Sequence, residues 1–203
     1  PDITAGFKYY DAAIMVKEQG KSQNQPFPVI EMDWIDGMTL VEKVDELCRK
    51  RARKALKDLA EQWLILLNTM QRAQIAHGDL AGVNIMVRSD GRLVLIDYDG
   101  TYIPEFAGLA PVLTGQEDFQ HPQMAQRGFH EHIDAFSALV IYTALAALAV
   151  KPDLWDKYAK FDANRKLIDF NMLFRKQDFQ ETRQSPLFQD LERLGDTHVR
   201  DLV

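Results

Sequence analysis

Two short motifs carry the side chains in this chain that are suited to chemistry. The first has the form H-x-D-x-x-x-x-N and contains Asp79 and Asn84, and the second places Asp97 at the end of an apolar run. Phosphoryl transfer needs one carboxylate that orients the acceptor hydroxyl, and an Asn and a second carboxylate that bind Mg²⁺ against nucleotide phosphates. The spacing therefore predicts a phosphoryl-transfer site with Asp79 as its catalytic carboxylate and Asn84 and Asp97 as metal ligands.

The residues between the motifs predict the unit that positions them. Apolar runs at 85–87 and 93–96 flank the turn-forming sequence Ser89-Asp90-Gly91, which is the pattern of a β-hairpin. Asn84 would precede the first strand and Asp97 would follow the second, so both would lie at the same end. Asp and Asn are also common turn residues, and turn formation is the alternative for each motif alone. Two motifs in order, joined by one hairpin, favour the metal site.

Four features in the same order resemble the C-terminal lobe of the protein-kinase-like fold. Residues 77–84 resemble the catalytic loop, and 97–100 (D-Y-D-G) resemble the D-F-G metal motif. Residues 119–122 (F-Q-H-P) resemble the end of the activation segment, and 134–140 resemble the start of the central helix. These forms are most similar to an atypical, largely bacterial branch of serine/threonine-kinase-like proteins. The H-G-D form is also similar to aminoglycoside and choline phosphotransferases.

The resemblance implies an α+β fold made mainly of the helical C-terminal lobe. Residues 1–36 would be the remnant of the N-terminal lobe and hinge, and 37–203 the C-terminal lobe. It implies ATP and Mg²⁺ as ligands. The nucleotide would contact the hinge at Met32, Asp33 and Trp34. Asp99 would add a carboxylate to the metal ligands Asn84 and Asp97, or else cap a helix or turn.

Three functions remain open under this resemblance. The first is transfer of the ATP γ-phosphate to a Ser or Thr hydroxyl of a protein. The second is a catalytically impaired, kinase-like module that binds a protein partner, because only Gly6 and Gly20 precede Phe27 and no glycine-rich loop is recognisable. The third is a small-molecule phosphotransferase. Gly78 replaces the Arg, and Ala81 the Lys, that many protein kinases carry in this loop.

Several other polar residues are predicted to have structural roles. His77 is expected to hydrogen-bond backbone near Asp97, and Tyr98 to pack beneath the site. Asp134 is expected to cap the following helix and to hold the backbone of the catalytic loop. Three further histidines have no set of partners typical of a metal site and are predicted to be structural or exposed: His121, His130 and His132.

Hydrophobic periodicity predicts a mostly helical body. Helices are expected at 7–18, 39–48, 53–74 and 135–150, a strand at 27–35, and an ordered loop at 101–124. Lys17, in a sequence that superficially resembles V-A-I-K, is then expected at the surface. The aromatic residues after Pro152 are predicted to belong to the core of terminal helices: Trp155, Tyr158, Phe161, Phe170, Phe174, Phe179 and Phe188.

Charge, cysteine content and apolar patterning indicate which classes of protein and of binding partner this chain fits. A net charge of −6 argues against a dedicated nucleic-acid binder, although the basic cluster at 49–54 could bind an anionic partner. The single Cys48 excludes an intrachain disulfide and suits a reducing compartment. No signal-peptide pattern is visible, and the apolar stretch 135–150 is shorter than a membrane span. These features predict a cytoplasmic protein without membrane contact.

Overall fold

The computed structural model describes residues 3–17, 19–20, 23–111, 115–123 and 128–203. The described residues form a mixed α+β fold with two small antiparallel sheets and seven α-helices. The strands are β1 (Phe7–Val16), β2 (Gln25–Met32), β3 (Gly37–Thr39), β4 (Ile85–Arg88) and β5 (Leu93–Leu95). The helices are α1 (Leu40–Arg49), α2 (Arg53–Arg72), α3 (Ala135–Val150), α4 (Leu154–Tyr158), α5 (Lys176–Gln180), α6 (Pro186–Glu192) and α7 (Thr197–Asp201).

The helix predicted at 7–18 is wrong, because residues 7–16 form strand β1. This strand pairs antiparallel with β2 from Phe7 opposite Met32 to Val16 opposite Gln25, with an irregularity between Tyr10 and Ile14. Aromatic and β-branched residues such as Tyr9, Tyr10 and Ile14 favour an extended backbone when a partner strand is available. Every residue of β1 is exposed. The sequence of this strand therefore carries no pattern of buried positions that would indicate either a helix or a strand. Lys17 is exposed as predicted.

The predicted hairpin is confirmed by β4 and β5, which pair antiparallel from Ile85 opposite Leu95 to Val87 opposite Leu93. Strand β3 adds to the outer side of β4, so the sheet has the order β3-β4-β5. The segment before β1 contacts the other edge, where Ile3 O accepts a hydrogen bond from the Leu95 amide at 2.8 Å. Sequence periodicity gave no sign of this contact. Asn84 immediately precedes β4, and Asp97 follows β5 by two residues.

The helices at 39–48, 53–74 and 135–150 are confirmed by α1, α2 and α3. Thr39 and Glu42 form a reciprocal capping box that begins α1. Helix α2 buries one face, with Trp63 completely inaccessible and its indole Nε1 donating to Ala138 O of α3 at 3.1 Å. Helix α3 is apolar on all sides and forms the centre of the core, as predicted. No helix in the described ranges combines the length and apolarity that a membrane crossing requires.

Most of the aromatic residues after Pro152 belong to the core, as predicted. Trp155 is inaccessible to solvent, and Phe174 is almost so. Tyr158, Phe161, Phe179 and Phe188 pack against this core. Phe170 is the exception, since 47% of it is exposed in the irregular segment between α4 and α5.

The predicted loop at 101–124 contains only two short 3-10 turns in its described part, Pro104–Phe106 and Glu117–Phe119. Residues 112–114 and 124 of this loop lie outside the described residues, as does Glu18 of the helix predicted at 7–18.

Candidate functional site

The backbone at the start of the H-x-D motif is held by a buried carboxylate. Asp134 accepts hydrogen bonds from the backbone amides of His77 and Gly78, the latter at 2.9 Å. The prediction that Asp134 holds this loop is confirmed. The prediction that it caps α3 is wrong, because its side chain makes no capping hydrogen bond although it occupies the N-cap position. A carboxylate accepting two buried amides satisfies donors that would otherwise be costly to bury.

Gly78 is required by the close approach of two segments. Its φ is +81°, and a Cβ on it would lie 2.1 Å from the carbonyl oxygen of Gly100. A side chain at this position would therefore separate the H-x-D loop from the segment that follows Asp97. The glycine that distinguishes this motif from the Arg-containing form thus has a local steric cause.

Asp79 and Asn84 are in direct contact. Asn84 Nδ2 donates to the Asp79 backbone oxygen at 2.9 Å and to its carboxylate Oδ2 at 3.2 Å. The other carboxylate oxygen, Oδ1, accepts the backbone amide of Gln116 at 2.9 Å. These contacts fix the orientation of the carboxylate while its oxygens retain lone pairs for a further donor. The side-chain carbonyl oxygen of Asn84 takes no part in these contacts. Oxygen is the type of ligand that a hard cation prefers.

The backbone that presents Asp97 is tied to the same loop. Ile96 donates its amide to Asn84 O at 3.0 Å, and its carbonyl oxygen lies 2.8 Å from His77 Nε2. This confirms the predicted role of His77. Asp97 itself has a φ of +66°, which is uncommon for a residue with a side chain. Such strain is concentrated at functional sites, because the surrounding structure must maintain it.

Asp99 is exposed, two residues beyond Asp97. Within the described ranges no three histidine, cysteine, aspartate or glutamate side chains are close enough to hold a metal ion. Asp99 therefore does not form a three-carboxylate cluster with Asp79 and Asp97. Its metal-binding role stays a prediction, as do those of Asn84 and Asp97.

The residues predicted at the hinge lie at and beyond the end of β2. Met32 ends that strand opposite Phe7, and Trp34 is 92% exposed. The Asp33 amide donates to Gly6 O at 2.8 Å, so this backbone donor is already occupied. The nucleotide-binding role of these three residues stays a prediction.

Tyr98 is partly buried between two backbone segments. Its hydroxyl donates to Leu95 O and accepts the amide of Ala5 at 2.8 Å. Burial raises the pKa of this hydroxyl above its ordinary value, and the Ala5 hydrogen bond opposes that rise. Tyr98 therefore joins the N-terminal segment to the end of β5, a function that Phe could not provide.

The sequence did not indicate the segment 115–120 as part of the site. Gln116 contributes a backbone amide, so its side-chain type carries no signal of the contact with Asp79. Gly115 has a φ of +74°, and a Cβ on it would lie 2.2 Å from the buried Gln120 side chain. Ser137 of α3 donates to Phe119 O at 2.8 Å and anchors the segment. The F-Q-H-P resemblance covered residues 119–122 but gave no sign of the contact between Gln116 and Asp79.

His121, His130 and His132 are exposed, as predicted. His121 Nδ1 accepts the Gln123 amide, and His130 Nδ1 accepts the His132 amide, each at 3.1 Å. These are local turn contacts.

No protein-family model matches this chain, and no curated protein matches it significantly.

Proposed function

We propose that this chain belongs to a phosphotransferase of the protein-kinase-like superfamily that transfers the ATP γ-phosphate to a Ser or Thr hydroxyl of a protein. The observation that carries the proposal is the direct contact of Asp79 with Asn84 at the end of the β4–β5 hairpin, from which Asp97 also emerges. The resemblance of four motifs in order supports the superfamily. Asp79 would orient the acceptor hydroxyl and accept its proton.

The donor set fits a magnesium ion bound together with nucleotide phosphates. Asn84 and Asp97 supply oxygen ligands, and Mg²⁺ is commonly held by one or two protein groups plus phosphates and waters. When bound, the ion would neutralise charge on the phosphates. The protein contributes a fixed geometry: Asp134 holds the loop before Asp79, and His77 holds the backbone before Asp97.

The experiment is a transfer assay with ATP labelled at the γ-phosphate, Mg²⁺ and a pool of Ser- and Thr-containing peptides. Asp79→Asn keeps an oxygen for the Gln116 amide but removes the base, and we expect transfer to fall at least about 10²-fold. Asp90→Asn, at the opposite end of the hairpin, is the control and should retain activity. Aminoglycosides and choline serve as alternative acceptors. Transfer that is unchanged by Asp79→Asn would contradict the proposal.

A second function is favoured by the surface of the β1–β2 ribbon. Large apolar side chains there are extensively exposed, among them Phe7 (68%), Tyr9 (60%) and Ile30 (61%). Surfaces of this kind are characteristic of protein interaction sites. A kinase-like module that binds a protein partner without catalysis would bind Mg²⁺ and ATP weakly or not at all, and would give no transfer to any acceptor.

A further inference from the structure

A cleft on the face of the fold formed by α2, α3 and α7 is separate from the candidate site. It has a volume of about 590 Å³, which lies within the range of small-ligand sites. Helix α2 contributes one stripe of its surface, from Arg53 through Lys57 and Ala60 to Leu64. At 1.5 Å per residue this stripe is about 16 Å long. The lining contributed by α2 is therefore elongated along the helix.

The floor of the cleft is apolar and the side chains on it are small. Ala60 of α2 and Ala146, Ala149 and Val150 of α3 all line the cleft. Leu64 extends the apolar surface and is 43% exposed. An apolar surface of this shape matches a hydrocarbon chain, which gains free energy for each methylene removed from water.

One end of the cleft carries two cations without acidic partners. In the basic cluster predicted from the sequence, most cations are paired: Arg49 with Asp45, Lys50 with Glu46, Arg51 with Asp153 and Lys54 with Asp58. Within the described ranges Arg53 and Lys57 form no such pair. They lie one helical turn apart on the same face, where both line the cleft. Two adjacent cations suit a single anionic group.

The other charged groups of the cleft are already occupied or lie against a cation. Asp196 accepts the Val199 amide at 3.0 Å and caps α7. The pKa of the Lys54 ammonium is raised mainly by its hydrogen bond to Asp58 and the charge of that carboxylate, and Glu61 adds a smaller contribution. His198 Nε2 is 2.9 Å from the hydroxyl of Tyr142 on the facing wall. The unpaired positive charge of the lining is therefore concentrated at Arg53 and Lys57.

We propose that this cleft binds a single-chain anionic amphiphile, with its carboxylate at Arg53 and Lys57 and its hydrocarbon tail along the floor between α2 and α3. The carboxylate accepts charge-assisted hydrogen bonds from the two cations. The tail covers Ala60, Ala146, Ala149 and the exposed side of Leu64. The two cations at one end of the lining and the apolar side chains beyond them correspond to the two parts of such a molecule.

Calorimetric titration with monomeric decanoate tests the proposal. We expect saturable binding of one molecule, about fifteenfold weaker binding of octanoate because two methylenes are lost, and at least about tenfold weaker binding of 1-decanol, which lacks the charge. Lys57→Glu and Arg53→Gln should each weaken decanoate binding at least about tenfold. Arg72→Gln, at the far end of α2, is the matched control and should leave it unchanged. All three positions are exposed, so folding is preserved.

Three results would overturn the proposal. The first is the absence of saturable decanoate binding. The second is equal affinity for decanoate and 1-decanol, or an affinity that Lys57→Glu does not change. The third is sedimentation with phosphatidylglycerol vesicles in the absence of decanoate binding, which would identify the basic face as a membrane-surface contact instead.

Discussion

Asp134 Oδ1 accepts a hydrogen bond from the backbone amide of Gly78 at 2.9 Å, although 56 positions separate the two residues in the sequence. The same carboxylate accepts the amide of His77. The residue at the N-cap position of α3 thereby fixes the loop that presents Asp79. The geometry of the candidate site thus depends on the packing of α3 in the core.

Replacing Asp134 should therefore lower stability substantially. Asp134→Ala leaves two buried amides without their acceptor, and we expect a loss of about 2–4 kcal/mol in the free energy of unfolding. Asp134→Asn retains one acceptor oxygen and should lose less. Urea unfolding measures both. The exposed Asp36→Ala is the control, and a loss at Asp134 no greater than at Asp36 would contradict the assigned contact.

Substitutions at two glycines measure the cost of backbone strain and the cost of a steric collision separately. Gly78 and Gly91 have φ values of +81° and +83°, but a Cβ on Gly91 meets nothing within 4 Å. Gly91→Ala should cost about 1 kcal/mol for its backbone conformation. Gly78→Ala should cost at least about 2 kcal/mol more, because its Cβ collides with Gly100 O. Equal losses in urea unfolding would show that the two segments do not approach each other as described.

The exposure of the β1–β2 ribbon can be tested by two matched isoleucine substitutions. Ile30 of β2 is 61% exposed, whereas Ile85 of β4 is completely buried. Threonine keeps the branched Cβ, so strand preference changes little. Ile30→Thr should alter the free energy of unfolding by no more than about 0.5 kcal/mol, and Ile85→Thr should lower it by about 2–3 kcal/mol. A large loss at Ile30 would mean that the ribbon packs against other parts of the chain.

Cys48 should react slowly in the native protein, because it is buried. Burial, with the charges of Asp45 and Asp156, raises the pKa of the thiol to about 12. Because the thiolate is the reactive form, alkylation by iodoacetamide at pH 8 should be about a thousandfold slower than in urea. Mass spectrometry follows the single site directly. Comparable rates in the two conditions would contradict the burial of Cys48.

The hairpin and the three main helices followed from the sequence because local pattern determines them. Alternating apolar runs flank a turn at 89–91, and α3 is apolar enough to mark the core by itself. The strand at residues 7–16 did not follow, because none of its residues is buried and periodicity reports burial. Its conformation is set by pairing with β2, which is a non-local interaction.

The contact of the segment 115–120 with Asp79 could not be predicted for a different reason. Gln116 donates a backbone amide, which every residue except proline possesses. The capping role assigned to Asp134 failed because its carboxylate contacts a distant loop instead of its own helix. Residue type indicated a hydrogen-bonding role at Asp134, but only the three-dimensional fold specifies the partner.

The central claim is that Asn84 and Asp97 bind Mg²⁺ together with ATP, and thermal unfolding with ATP, with and without Mg²⁺, tests it most directly. At a hundred times the dissociation constant, the ligand should stabilise the fold by about 2.7 kcal/mol. For a chain of this size that corresponds to a rise in Tm of about 5–10 °C. We predict a Mg²⁺-dependent rise that Asp97→Ala and Asn84→Ala abolish and that Asp90→Ala retains. No rise at millimolar ATP, or a rise that Asp97→Ala leaves intact, would contradict the account.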